Sequence, residues 1–207
     1  MAISAAKQNI LKRIRQALSN PVPLPFPLSE GATSVYQPAP ESLEVLFAEE
    51  FTKLQGRFAF CMDDDDAWLQ IQQLITSKNW TKIYCSEDKW NRQFSNTISL
   101  SGCDASVTGC EYLVARTGSI VMSSAQQSGR TASVYAPVHI CIAYTHQLEY
   151  DIKDALQSLQ DKYAGNIPSL MTFASGPSRT ADIEKTLVTG VHGPKEVYLF
   201  LVEAPAS

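Results

Sequence analysis

Apolar positions along the chain change rhythm several times. Between residues 4 and 19, Ile10, Leu11, Ile14 and Leu18 recur at the three- and four-residue spacing of a helix face, and Asn20-Pro21 marks a stop. A second helical pattern covers about 41–54, and the short apolar run 57–61 after it predicts a strand. Met62 to Asp66 then opens a helix that carries Trp68, Leu69, Ile71, Leu74 and Ile75. Downstream, the spacing predicts strands over 82–85, 103–108, 118–123, 132–134, 138–144, 169–174 and 195–202. It predicts helices over 87–95, 149–163 and 180–189, and a helical turn over 109–115. Strands alternating with helices predict an α/β, Rossmann-like fold: a mainly parallel sheet with flanking helices. The hairpin-like middle, 118–144, predicts an antiparallel extension. The Pro-rich stretch from Pro21 to Pro40 predicts an extended tether. Residues 1–40 therefore read as an N-terminal helix and arm, and residues 41–207 as one α/β domain. The arm can dock on its own domain or on another subunit, and the sequence does not choose.

Composition narrows the class. A chain of 207 residues with 44% hydrophobic and 18% charged positions can bury a core without staples. A net charge of -4 argues against a nucleic-acid partner. No apolar run approaches the roughly 20 residues of a membrane span, and the basic first 20 residues lack a signal peptide's apolar core. A cytoplasmic location is the expectation by elimination. Cys61, Cys85, Cys103, Cys110 and Cys141 are odd in number, scattered through apolar stretches and without a CxxC, which favours buried thiols over disulfides, zinc or a cluster. The run Asp63 to Asp66 reads as the acidic start of a helix, because a calcium loop would alternate its oxygens around a glycine.

Three segments carry candidate chemistry. Ser175 to Glu184 follows an apolar strand and is expected to open a helix, with Gly176 in the turn and Thr180 as N-cap. Free N–H groups there, with Ser178, Arg179 and Thr180, suit a carboxylate or phosphate; a plain structural cap explains the same residues. In Gly190-Val-His-Gly-Pro194, His192 is a backbone brace or a general base. The polar loop from Ser123 through Arg130 is either a small-ligand loop or a solvated hairpin turn. His139 lies in an apolar strand and reads as a satisfied core residue, and no dinucleotide or P-loop glycine motif occurs.

From Thr108 to Ser124, then at Gly176-Pro-Ser-Arg-Thr-Ala-Asp-Ile-Glu184 and Gly190-Val-His-Gly-Pro194, the chain resembles the LUD-domain family, of LutC type. The resemblance covers roughly residues 40 to 203. It implies a fold similar to the NagB/RpiA/CoA-transferase-like group and participation in oxidising L-lactate, or a related 2-hydroxy acid, to pyruvate. It further implies partner proteins that carry iron–sulfur clusters, with no cofactor in this chain. In that scheme Arg179 clamps the substrate carboxylate, Ser178 and Thr180 donate hydrogen bonds, and Gly176 shapes the turn. Arg130 and Ser123 complete the pocket, and His192 is the base. Arg116 departs from the family's usual acid and reverses the local charge. Two other readings compete. One is a stand-alone enzyme of CoA-transferase or isomerase type with Glu111 or Asp182 as its acid. The other is a non-catalytic assembly protein that docks through the first helix.

Overall fold

The computed structural model describes residues 5–19, 42–91, 93–94, 98–181 and 187–204. The chain divides into two units, Met1–Pro38 and Ala39–Ser207. In the first, α1 (Ala5–Ser19) exposes Ile10, Leu11 and Ile14. The Pro-rich stretch Pro21 to Pro40 lies outside the described residues.

The second unit is built around a five-stranded sheet. Its strands are β1 (Arg57–Cys61), β2 (Ile83–Cys85), β3 (Ala105–Thr108), β6 (Val138–Tyr144) and β11 (Glu196–Val202), in the order β1-β11-β6-β3-β2. Every pairing in it is parallel. β6 and β11 are buried along almost their whole length, the pattern of parallel strands covered on both faces. Alternate residues feed two cores. Ile140, Ile142, Tyr198 and Phe200 face α3 (Asp64–Lys78) through Ala67 and Ile71. Cys141, Leu199 and Leu201 face Phe47 and Phe51 of α2 (Leu43–Lys53). The same core takes Leu113, Ile120 and Met122 from a second sheet.

That second sheet holds β4 (Tyr112–Val114), β5 (Ser119–Ser123), β7 (Leu148–Glu149) and β8 (Met171–Ala174), in the order β7-β4-β5-β8. Its outer face buries Val114 and Val121 against Ala155 and Leu159 of α6 (Ile152–Lys162).

Local chemistry sets the boundaries. Asp63 caps α3 by accepting from the Asp66 N–H at 2.8 Å, and Asp66 accepts from the Met62 N–H at 2.9 Å, so the acidic run is a helix start. Asp151 and Asp154 form a capping box at α6. Gly118, at φ 55°, turns the chain between β4 and β5. A Cβ there would lie 2.5 Å from the Phe51 nitrogen.

The structure corrects four expectations. Residues 109–115 are not a helical turn: Tyr112–Val114 pairs antiparallel with β5. Residues 132–134 fall in a short helix, α5 (Ala132–Tyr135), whose Ala132 carbonyl accepts from Ser106 Oγ at 2.6 Å on β3. The middle of the chain is not one extension, because 119–123 enters the second sheet and 138–144 the parallel sheet. Finally, the described parts of 180–189 are strands where a helix was expected. β9 (Arg179–Ala181) and β10 (Leu187–Thr189) pair antiparallel, so Thr180 faces Val188 and caps nothing. Val188 and Thr189 are β-branched, and the ladder satisfies the backbone that a helix would have used. Asp182 and Glu184 lie outside the described residues.

Candidate functional site

In an open parallel sheet, ligand chemistry gathers outside the carboxyl ends of the strands. Here β1, β11 and β6 end at Cys61, Val202 and Tyr144, and a cavity of about 770 Å³ opens beyond them. Asp63, Asp64, Asp65, Glu203, Lys89 and Tyr144 are among its lining residues. The Tyr144 hydroxyl donates to Asp64 Oδ1 at 2.8 Å, and Lys89 Nζ lies 2.7 Å from Asp64 Oδ2. Lys89 also donates to the Tyr144 hydroxyl and sits over its ring, 4.4 Å from the centroid. Burial opposes the Lys89 charge, but Asp64 and Tyr144 outweigh it and raise its pKa; burial pushes Tyr144 up as well. The pair is therefore an ammonium and a neutral phenol at neutral pH. Four carboxylates around one ammonium give a negative field that disfavours a small acid.

A second cluster starts where the chain leaves β3. Glu111 is 2% exposed, and its N–H donates to the Val121 carbonyl at 2.8 Å. Its carboxylate accepts from Ser123 Oγ at 2.5 Å, from the Tyr163 hydroxyl at 2.7 Å and from Lys162 Nζ at 2.7 Å. Burial alone would raise the Glu111 pKa, but the three donors, Lys162 foremost, bring it below the usual value. Glu111 is thus an ionised buried anchor. Gln147 Nε2 adds bonds to the Cys110 and Glu111 carbonyls at 2.7 and 3.2 Å.

The polar loop after Ser123 is tied at both ends of its reach. Ser123 Oγ accepts from the Ala125 N–H, and Gln126 Oε1 accepts from the Ser123 N–H. The Asp88 N–H donates to Gln127 Oε1 at 2.8 Å, and Gln127 Nε2 returns a bond to the Asp88 carboxylate. Asp88 opens α4 (Asp88–Asn91) just past the carboxyl end of β2, so the loop covers that edge. Arg130 is exposed and donates to Ser169 Oγ, which also bonds Ser124 Oγ at 3.2 Å.

The other sequence-selected residues lie elsewhere. Ser178, Arg179 and Thr180 enter the β9–β10 hairpin, and the Ser178 N–H donates to the Pro194 carbonyl at 2.9 Å. The two glycine-containing motifs do meet: the Gly190 N–H donates to the Ser178 carbonyl, and a Cβ on Gly193 would lie 3.0 Å from Ser178 Cβ. His192 and Arg179 are exposed. The Lys195 N–H donates to the Pro137 carbonyl, which places this hairpin beside the starts of β6 and β11. Gly176, at φ 80°, lets the chain pass the Leu54 carbonyl, where a Cβ would come within 2.5 Å. Among the described residues, no helix starts behind Ser178 to Thr180.

Register keeps the two groups apart. Ile120 pairs with Ala174 and Ser123 with Met171, so the chain reaches Gly176 from one end of the β5–β8 ladder and Ser123 sits at the other. At roughly 3.4 Å per residue, β5 separates them by about 14 Å. Ser123 and Arg130 belong to the carboxyl edge; Gly176, Ser178, Arg179, Thr180 and His192 belong to the opposite end.

A family model for the LUD domain matches residues 87–202, more than half of the chain. The chain belongs to the LUD domain family. A lactate utilization protein C of Anoxybacillus flavithermus is 30% identical over 186 residues, 79% of this chain and 81% of its own length. An uncharacterized protein of Neisseria meningitidis serogroup B is 33% identical over 116 residues, and a lactate utilization protein C of Deinococcus radiodurans 32% over 104. In those two the match covers 56% and 50% of this chain but only 47% and 48% of the relative, about half its length. A crystal structure of a DUF162 family protein from Deinococcus radiodurans superposes with a TM-score of 0.59 at 16% identity, over 79% of this chain and 99% of that one. That likeness confirms the α/β architecture.

The LUD match takes in Glu111, Ser123, Arg130, Lys162 and the β9–β10 hairpin, and leaves out the Asp63 to Asp66 run. Within this LUD domain Arg116 has a local explanation. Its Nε donates to Asp151 Oδ2 at 2.6 Å, and this bond leads the causes that lower the Asp151 pKa. Asp151 is buried at the start of α6, so the guanidinium braces that cap. Sequence reasoning missed Lys89, Tyr144, Lys162 and Tyr163. Lys162 and Tyr163 end a helix 51 and 52 residues beyond Glu111, and no local spacing announces them.

Proposed function

We propose that this LUD-domain chain takes part in lactate utilisation, as a subunit that works with iron–sulfur partner proteins to oxidise L-lactate, or a related 2-hydroxy acid, to pyruvate. The observation that carries the reading is the 30% identity with a lactate utilization protein C across 79% of this chain and 81% of that relative. The reaction removes two electrons and two protons from the substrate, and the partners' clusters would accept the electrons. The five cysteines of this chain are free and buried. Burial raises Cys61 to about 12 and Cys85 to about 11, so both stay protonated and serve packing.

The small carboxylate would bind on the β2–β3 side of the carboxyl edge, outside the acidic cavity beyond β1, β11 and β6, with Arg130 as its cation. The Ser123 to Arg130 loop is held there by Glu111 on one side and Asp88 on the other. Because Arg179 and His192 lie at the far end of the β5–β8 ladder, they do not share one lactate with Arg130. A stand-alone acyl-transfer enzyme would need a reachable carboxylate nucleophile; Glu111 is buried and holds three donors, which weakens it as one.

Pyruvate formation by a complex reconstituted from this chain and its cluster-bearing partners is the test. Omitting the chain should abolish turnover. Arg130→Ala should raise KM for lactate by about tenfold or more, the cost of one charge-assisted hydrogen bond. Arg179→Ala and His192→Ala should leave that KM unchanged. Undiminished oxidation without the chain would end the proposal, and a KM effect confined to Arg179→Ala would move the substrate to the hairpin.

A further inference from the structure

Charge is segregated along this chain. Lys7, Lys12, Arg13 and Arg15 lie in α1, whose sequence contains no acidic residue, so a chain of net charge -4 is +4 there and -8 elsewhere. On the same helix Ile10, Leu11 and Ile14 are 59%, 36% and 49% exposed. These three form one stripe, because residues three and four apart share a helix face. Lys7, three residues before Ile10 and four before Leu11, stands at the N-terminal end of that stripe. Arg13 and Arg15 depart on opposite flanks, each about 100° around the axis from Ile14.

We propose that α1 is a docking helix for an anionic lipid surface, with the stripe seated at the headgroup–acyl boundary and the arginines reaching back to the headgroups. Guanidinium groups on both flanks of an aliphatic stripe match a plane of negative charge, since each long side chain can lie along the apolar boundary and keep its head in the polar layer. The rest of the chain, at -8, is repelled by the same surface, which confines contact to α1. One short helix with a narrow stripe gives reversible, salt-sensitive attachment. This inference is independent of the lactate reading.

Flotation of the full chain with lipid vesicles tests it. Protein should rise with vesicles rich in phosphatidylglycerol, stay down with pure phosphatidylcholine, and be released from the former by high salt. Arg13→Gln/Arg15→Gln should bind roughly twentyfold more weakly, and Ile10→Ser/Ile14→Ser should also lose binding. Both pairs are exposed, so near-UV circular dichroism of the variants should match the wild type; the salt series on the wild type needs no variant. Failure to float with anionic vesicles, equal flotation with both lipids, or unchanged binding by the arginine variant would each overturn the proposal. Binding of α1 to an acidic protein without any vesicle association would overturn it too.

Discussion

His139 shows how one buried side chain couples the fold to pH. Thr108 Oγ1 donates to the Gly109 carbonyl at 2.9 Å, so His139 Nε2, 2.8 Å from the same oxygen, must carry the proton and donate to it. Burial lowers the His139 pKa to about 4. An unfolded histidine titrates near 6.5. Between those values the unfolded chain binds more protons, so stability is full above about 6.5 and is lost as pH falls towards 4, by up to about 3 kcal/mol. His139→Gln keeps an Nε2 donor without the titration. Urea midpoints measured from pH 7 to pH 5 should fall for the wild type and stay nearly level for this variant; parallel curves would refute the assignment. The satisfied histidine and the Asp63 cap were both legible in sequence, because each follows from a local pattern. Glu111 was not, since Ser123, Lys162 and Tyr163 reach it only through tertiary folding.

At the scale of elements, regular strands and long helices were readable and short mixed segments were not. β1 and β6 match their expected spans of 57–61 and 138–144, since a run of apolar residues between polar breaks has one good solution in a covered parallel sheet. The β9–β10 hairpin failed because its residues also fit a helical period, and only pairing with a partner strand decides. Two glycines set where α2 rests: Gly118 lies against the Phe51 backbone and Gly176 against the Leu54 carbonyl, both at positive φ. Gly118→Ala and Gly176→Ala should each cost about 2 kcal/mol or more, combining backbone strain with displacement of α2. Gly102→Ala and Gly129→Ala, also at positive φ but with nothing within 4 Å, should cost about 1 kcal/mol. Chemical denaturation of the four variants measures the difference; equal losses would mean the contact with α2 contributes nothing.

For the molecule as a whole, the parallel sheet and its carboxyl edge were foreseeable, while the separation of Arg130 from Arg179 was not. It depends on the β5–β8 register, which no single segment encodes. The thiols report on the integrity of the whole. All five cysteines are buried, and burial raises Cys61, Cys85, Cys103 and Cys141. A disulfide reagent should therefore label the native protein slowly and release five thiols at once in denaturant. Rapid labelling of one thiol in the native state would show that one of the cores opens on its own.

Strand order also has a consequence for assembly during synthesis. β11 lies between β1 and β6, yet it is the last described strand to be translated. Until residues 196–202 leave the ribosome, β1 has no neighbour in the sheet and β6 is paired on its β3 side alone. The nascent chain therefore waits for its final strand before the sheet can close, with unpaired strand edges exposed in the meantime.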